Sequence, residues 1–169
     1  MRTFSSLFDQ TVLRGCLAST TLVALCLAAS ACALPSTTPT TPDATSLSAS
    51  LQLCADEINR YRATIGRAPL KRSTSLEQFA ADAAQHDATA GVPHTLFSKT
   101  NGGGVSMAET ELLLWPNRTV QDVIKQGLAQ MWAAGPSGEH YSILAGPYSE
   151  VGCGIYVSGG EVSVAQDYR

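Results

Sequence analysis

Residues Glu150–Tyr168 read EVGCGIYVSGGEVSVAQDY. Val151, Cys153, Ile155 and Val157 alternate with glycines and a tyrosine; after Ser158-Gly-Gly, Val162, Val164 and Gln166 alternate again. A period of two on both sides of a glycine turn predicts a β-hairpin. Upstream the period changes. In LQLCADEINRYRATI, residues 51–65, apolar positions at 51, 54, 58, 61 and 65 fall at three- and four-residue steps, so one face of a helix is apolar, and Gly66 closes it. Thr74-Ser-Leu-Glu77 has capping-box spacing ahead of an alanine-rich helix that ends at Gly91 and Pro93. A third helix is expected after Thr119-Val-Gln-Asp122, with Val120, Val123, Ile124, Gly127, Leu128, Met131 and Trp132 as its buried stripe and Gly135-Pro136 as its end. Between these helices, SKTNGGGVS at 98–106 reads as a mobile loop, and the following MAETELLLW as a helical turn or a strand. Helices first and antiparallel strands last predict a layered α+β domain rather than a doubly wound one.

The chain has 169 residues, room for one domain. Its apolar share of 44% and charged share of 15% exclude wholesale disorder and multiple membrane spans. A net charge of -3 without any basic run excludes nucleic acid as a partner class. Arg2 and Arg14 precede an uncharged stretch, Gly15–Ala31, that is short for a membrane span of about 20 residues; residues 1–31 therefore read as a secretory signal peptide. Two exits are visible. Ala29-Ser-Ala before Cys32 is lipobox-like, with Cys32 as the lipidated residue, and Ala31-Cys32-Ala33 is an A-x-A cleavage site. Either product is exported: a lipoprotein of the periplasm or envelope that meets the membrane only through its lipid anchor, or a secreted protein. Residues 32–50 are a Thr/Pro/Ser-rich linker, leaving 51–169 as the folded domain. Without residues 1–31 the chain keeps 9 basic and 13 acidic residues, a formal charge of -4.

Only three histidines occur. His86 lies inside the alanine-rich helix and reads as an ordinary helical residue. His94 follows a helix exit and His140 a glycine-rich turn, positions where side chains commonly face a cleft. The order of several short motifs resembles the CAP superfamily of cysteine-rich secretory proteins, antigen 5 and pathogenesis-related proteins. These motifs are N-x-x-R-x-x-x-G-x-x-P-L at Asn59, Arg62, Gly66, Pro69 and Leu70, then AET, MW, His140-Tyr141 and EVGCG at Glu150–Gly154.

The resemblance implies a three-layer α-β-α sandwich with a central antiparallel sheet. It also implies a cleft of two histidines and two acidic residues that holds a divalent metal in some members. Carried over, this cleft is His94, Glu109 and His140, with Glu111 as an alternate to Glu109. The family's second carboxylate usually follows the tryptophan of the third helix, but Trp132 is followed by Ala133-Ala134-Gly135, which leaves Glu139 as the substitute. An ungapped match through EVGCG would put Glu139 on the histidine position; a one-residue shortening in Leu144–Pro147 restores His140. Two imidazoles with carboxylates suit zinc, and no other cofactor is required. The function implied is binding of a small apolar or lipid-like ligand, or of an envelope protein, rather than catalysis, because Ser142 beside His140 has no orienting acid or oxyanion hole. The alternatives are a metal-dependent periplasmic hydrolase with Glu109 or Glu139 as general base, and a structural or adhesive envelope module. Cys54 and Cys153 either form a disulfide or stay as two buried thiols. Trp115, Trp132, Tyr141 and Tyr148 either line a groove or fill the core.

Overall fold

The computed structural model describes residues 44–169. Five helices and four strands follow in the order α1 (Ala44–Ala63), β1 (Lys71–Arg72), α2 (Thr74–Ala90), α3 (Thr95–Thr100), β2 (Ala108–Pro116), α4 (Val120–Ala133), α5 (Glu139–Leu144), β3 (Glu150–Ser158) and β4 (Glu161–Tyr168). The expected signal peptide and Cys32 fall outside the described residues. No helix among those described is long and apolar enough to cross a membrane.

The expected elements appear with several shifted edges. Helix α1 begins at Ala44, so residues 44–50, assigned above to the linker, are helical. Their composition is polar, and tertiary contact holds them: the buried Ser50 hydroxyl accepts from Gln121 of α4. The α2 cap is Ser73 rather than Thr74, and it makes no side-chain cap bond. Glu77 does not close a capping box, because its carboxylate accepts from Arg72 at 2.6 Å. At the other end Gly91 is left-handed (φ 68), and Gly91 and Val92 return bonds to Ala88 and Asp87, a Schellman closure. The expected mobile loop is instead α3 followed by a glycine turn in which Gly102, Gly103 and Gly104 all have positive φ. MAETELLLW resolves as strand β2.

The sheet order is β1-β3-β4-β2, antiparallel except for the two-residue β1, which pairs parallel with β3. Gly159 and Gly160, both at positive φ, form the two-residue hairpin turn between paired Ser158 and Glu161. The two faces of the sheet differ. Against one face, Cys54 and Ile58 of α1, Val123, Ile124 and Leu128 of α4 and Leu144 of α5 meet Val151, Cys153, Val164 and Tyr168. Against the other lies α2, whose Ala80, Ala83 and Ala84 cluster with Ala165. A Cβ at Gly154 would overlap the backbone of Ala80, and one at Gly152 that of Leu76. The glycines of EVGCG thus let α2 lie directly on β3.

The motif residues are mostly structural. The Asn59 side chain accepts from the Leu70 N–H and donates to the Leu70 carbonyl. Arg62, 2% exposed, donates to the carbonyls of Ala68, Leu144 and Gly146, tying α1 to the end of α5. Cys54 and Cys153 are disulfide-bonded, α1 to β3. Trp132 stacks between Tyr61 and Tyr141, and Tyr148 packs on Tyr168; Trp132 and Tyr148, half-buried, lie against the edge of the core.

Candidate metal centre

Beyond Gly91 and Pro93 the chain turns through His94, which sits in the left-handed region (φ 61, ψ 15) and begins α3. For a residue other than glycine this posture costs about 1–2 kcal/mol. It is held from both sides. The His94 N–H donates to Glu111 Oε2 at 3.1 Å, and its ring Nδ1 lies 2.9 Å from Glu109 Oε1. Asp87, in the last turn of α2, fixes the corner: its Oδ1 accepts from the Leu96 N–H, from the Thr95 hydroxyl, and pairs with His86 Nδ1 at 2.8 Å.

Glu109 and Glu111 are two residues apart on β2 and so project from the same face. Across the ladder, Asp167 of β4 stands opposite Glu109, and only Ala165 stands opposite Glu111. Four carboxylates, Asp87, Glu109, Glu111 and Asp167, are therefore buried on the α2 side, each 7% exposed or less. Asp87 Oδ2, Glu109 Oε2, Glu111 Oε1 and both oxygens of Asp167 have no hydrogen-bond partner. A buried carboxylate without donors is unstable as an anion unless a cation meets it.

The titration behaviour follows. Burial raises Glu109, lifts Glu111 from an ordinary 4.5 to about 8, and lifts Asp167 from 3.8 to about 8. The hydrogen bond to Glu109 raises His94, against the opposing pull of burial. Donor atoms of His94, Glu109 and Glu111 all lie within 4.8 Å of one another. One imidazole nitrogen and two carboxylates, with free oxygens facing inward, fit a divalent cation chemically.

His94 and Glu109 are together as expected, and Glu111 joins them instead of serving as an alternate. His140 and Glu139 lie in the first turn of α5, outside this group. Helix α5 is anchored through Leu144 in the core with α1 and α4, whereas His94 and its partners belong to the α2 and α3 side. Nor is the carboxylate site apolar: a groove of about 560 Å³ lined by Leu47, Val120, Ile155, Val157 and Val162 shares no residue with it. Asp87 and Asp167, the buried carboxylates beside this group, were not singled out in the sequence. Asp167 alternates with the inward-facing Gln166 and Tyr168, but only the β2–β4 register brings it opposite Glu109.

Residues 55–168 match the family model described as CAP, the cysteine-rich secretory protein family. No curated protein matches the chain. Among solved structures, an outer surface protein of Borrelia burgdorferi is similar with a TM-score of 0.51 at 16% identity, over 70% of this chain and 90% of that one. An extracellular protein containing a SCP domain from Bacillus anthracis gives a TM-score of 0.52 at 16% identity, over 78% of this chain but 45% of its own length. A cysteine-rich secretory protein of Staphylococcus aureus gives 0.48 at 20% identity, over 72% of this chain, which spans 39% of that protein. With its motifs in family order, helices enclosing a mainly antiparallel sheet, and the match over residues 55–168, this chain belongs to the CAP family of cysteine-rich secretory proteins.

Proposed function

We propose that this CAP domain is an exported binding module whose His94, Glu109 and Glu111 hold a divalent cation. The observation that carries the reading is the set of buried, unpartnered carboxylate oxygens around a histidine held in a left-handed backbone. A cation would neutralise them and would present an open coordination position at the His94 side, where the ring is 36% exposed. The group is acidic, which favours a cation, and a polar ligand reached through it, over an apolar ligand at this spot.

Export is supported by the leader-like residues 1–31, by the Cys54–Cys153 disulfide, and by the extracellular and outer-surface descriptions of the two similar proteins. Lipidation at Cys32 is part of the same proposal; intact mass of the membrane-extracted protein distinguishes a diacylglyceryl Cys32 from cleavage after Ala33.

Calorimetric titration of the metal-free protein with zinc and manganese tests the site. One cation per chain, lost in His94→Ala and Glu109→Gln and kept in His140→Ala, is the expected result. Loss in His140→Ala as well would put the centre between the two histidines, and absence of binding by either cation would end the reading.

A further inference from the structure

Helix α2 buries its alanines against the sheet and turns a polar side outward, where a groove of about 530 Å³ opens beside α3. Asp82, Gln85, His86, Thr89, Ala90 and Leu96 line it, and none of them belongs to the group of His94, Glu109 and Glu111. One nitrogen of His86 is fixed. Its Nδ1 lies 2.8 Å from Asp87 Oδ1 and 3.0 Å from the Thr95 hydroxyl, whose own proton goes to Asp87. Asp87 Oδ1 already accepts from the Leu96 N–H and from Thr95, so both neighbours can only accept from the ring. Nδ1 therefore carries the proton, and the neutral imidazole presents Nε2 as a lone pair. The ring is 38% exposed, and Nε2 makes no bond among the described residues. Fully buried Asp87 is the support that holds this orientation.

We propose that the groove binds an alkylammonium group, with His86 Nε2 and the Asp82 carboxylate as its acceptors. The hydrogen-bonding roles of the lining decide the ligand's chemistry. The Thr89 hydroxyl donates to the Gln85 carbonyl, which leaves its oxygen to a ligand only as an acceptor. Exposed Asp82 receives one bond, from Gln78 to Oδ1, and its Oδ2 is open. Gln85 is the one lining side chain able to donate, and among the described residues no lysine or arginine lines the groove. A ligand must therefore bring its own N–H groups, and an ammonium brings three together with a charge opposite to that of Asp82. Ala90 and Leu96 offer nothing to an inorganic ion but can cover an alkyl stem, which separates this ligand from the divalent cation discussed above.

The test titrates the metal-free, disulfide-bonded protein with n-pentylamine and, in parallel, with n-pentanol, reading the His86 ring by long-range proton–nitrogen correlation. The expected result is the Nδ1–H tautomer, with an Nε2 resonance that moves saturably on adding the amine. Pentanol, of the same shape but uncharged, should bind more weakly by roughly fivefold or more. Asp82→Asn, an exposed change that keeps the shape, and His86→Ala, both checked for folding by circular dichroism, should each weaken the amine by roughly fivefold or more. Nα-acetyl-lysine amide distinguishes the sources of such a group: tighter binding than pentylamine makes the ligand a protein lysine, and equal or weaker binding a free amine. An Nε2–H tautomer, equal binding of alcohol and amine, or a ring that does not respond to the amine would overturn the proposal. So would loss of amine binding in Glu109→Gln with His86→Ala unaffected, which would move the ammonium to the carboxylate centre.

Discussion

Glu111 and Asp167 each hold a proton up to about pH 8 in the folded chain, against ordinary values of 4.5 and 3.8. The cation-free folded state therefore binds more protons than the unfolded state across that interval, and stability falls as pH rises through it. Glu109, raised by burial, contributes in the same direction. His94 is raised too, mainly by its bond to Glu109; that support is complete below its ordinary 6.5 and is lost as pH rises through its folded value. All four terms share a sign. Thermal melts of the metal-free protein should thus show a midpoint that declines between about pH 5 and pH 8. A divalent cation competes with these protons, so it should restore the midpoint at pH 8 and do little at pH 5. Asp167→Asn removes one of the titrating groups without changing its shape, so the metal-free variant should melt higher than the native chain at pH 8 and show a shallower decline. A midpoint that rises with pH in the metal-free protein would contradict this account of the buried carboxylates.

The elements meet through a few tight contacts that can be tested separately from the site. Helix α2 lies on β3 where Gly154 faces Ala80, and a methyl group there would overlap helix backbone, which cannot swing aside as a side chain can. Gly154→Ala should therefore cost at least about 1–3 kcal/mol in urea unfolding, and should loosen the corner that carries His94. Gly104, whose added Cβ would meet nothing within 4 Å, should cost only the left-handed penalty of about 1–2 kcal/mol when changed to Ala. Arg62 is a different kind of joint. Its removal strands the carbonyls of Ala68, Leu144 and Gly146, so Arg62→Met should destabilise by about 3 kcal/mol or more despite filling the volume. These contacts show what was legible in the sequence. Periods of 3.6 and 2 located three helices and the hairpin, because burial of one face imposes them directly on the order of residues. The Gly-rich 98–106 stretch was misread because a glycine run is compatible with both a loose loop and a sequence of left-handed turns. His94 and Glu109, with Glu111 as its alternate, were named from the family motifs, whereas the position of Asp167 opposite Glu109 depends on strand register across β2 and β4, which leaves no local mark. His140, read as part of a glycine-rich turn, starts α5, which Leu144 anchors in the other layer, and it stands outside the His94 group.

At the scale of the whole molecule, the two faces of the sheet carry separate devices. The Cys54–Cys153 bond spans 99 residues and lies in the larger core between α1 and β3. Closing a loop of that length lowers the entropy of the unfolded chain by an amount worth about 4–5 kcal/mol. The carboxylate centre lies on the opposite face, under α2 and α3, and shares no hydrogen-bond partner with the cysteines. The disulfide acts on the unfolded state, whereas a cation acts by binding the folded one. Their contributions should therefore add. In a cycle of four measurements, unfolding of the native chain and of the Cys54→Ala/Cys153→Ala variant, each with and without saturating manganese, the cation should stabilise both forms equally to within about 0.5 kcal/mol. The variant should still bind one cation at a temperature where it stays folded. If the cation instead stabilised the disulfide-free protein much less, the α2 layer would depend on the α1–β3 tie, and the His94 corner would have to be redrawn as part of one cooperative core rather than as a site built on an independent face.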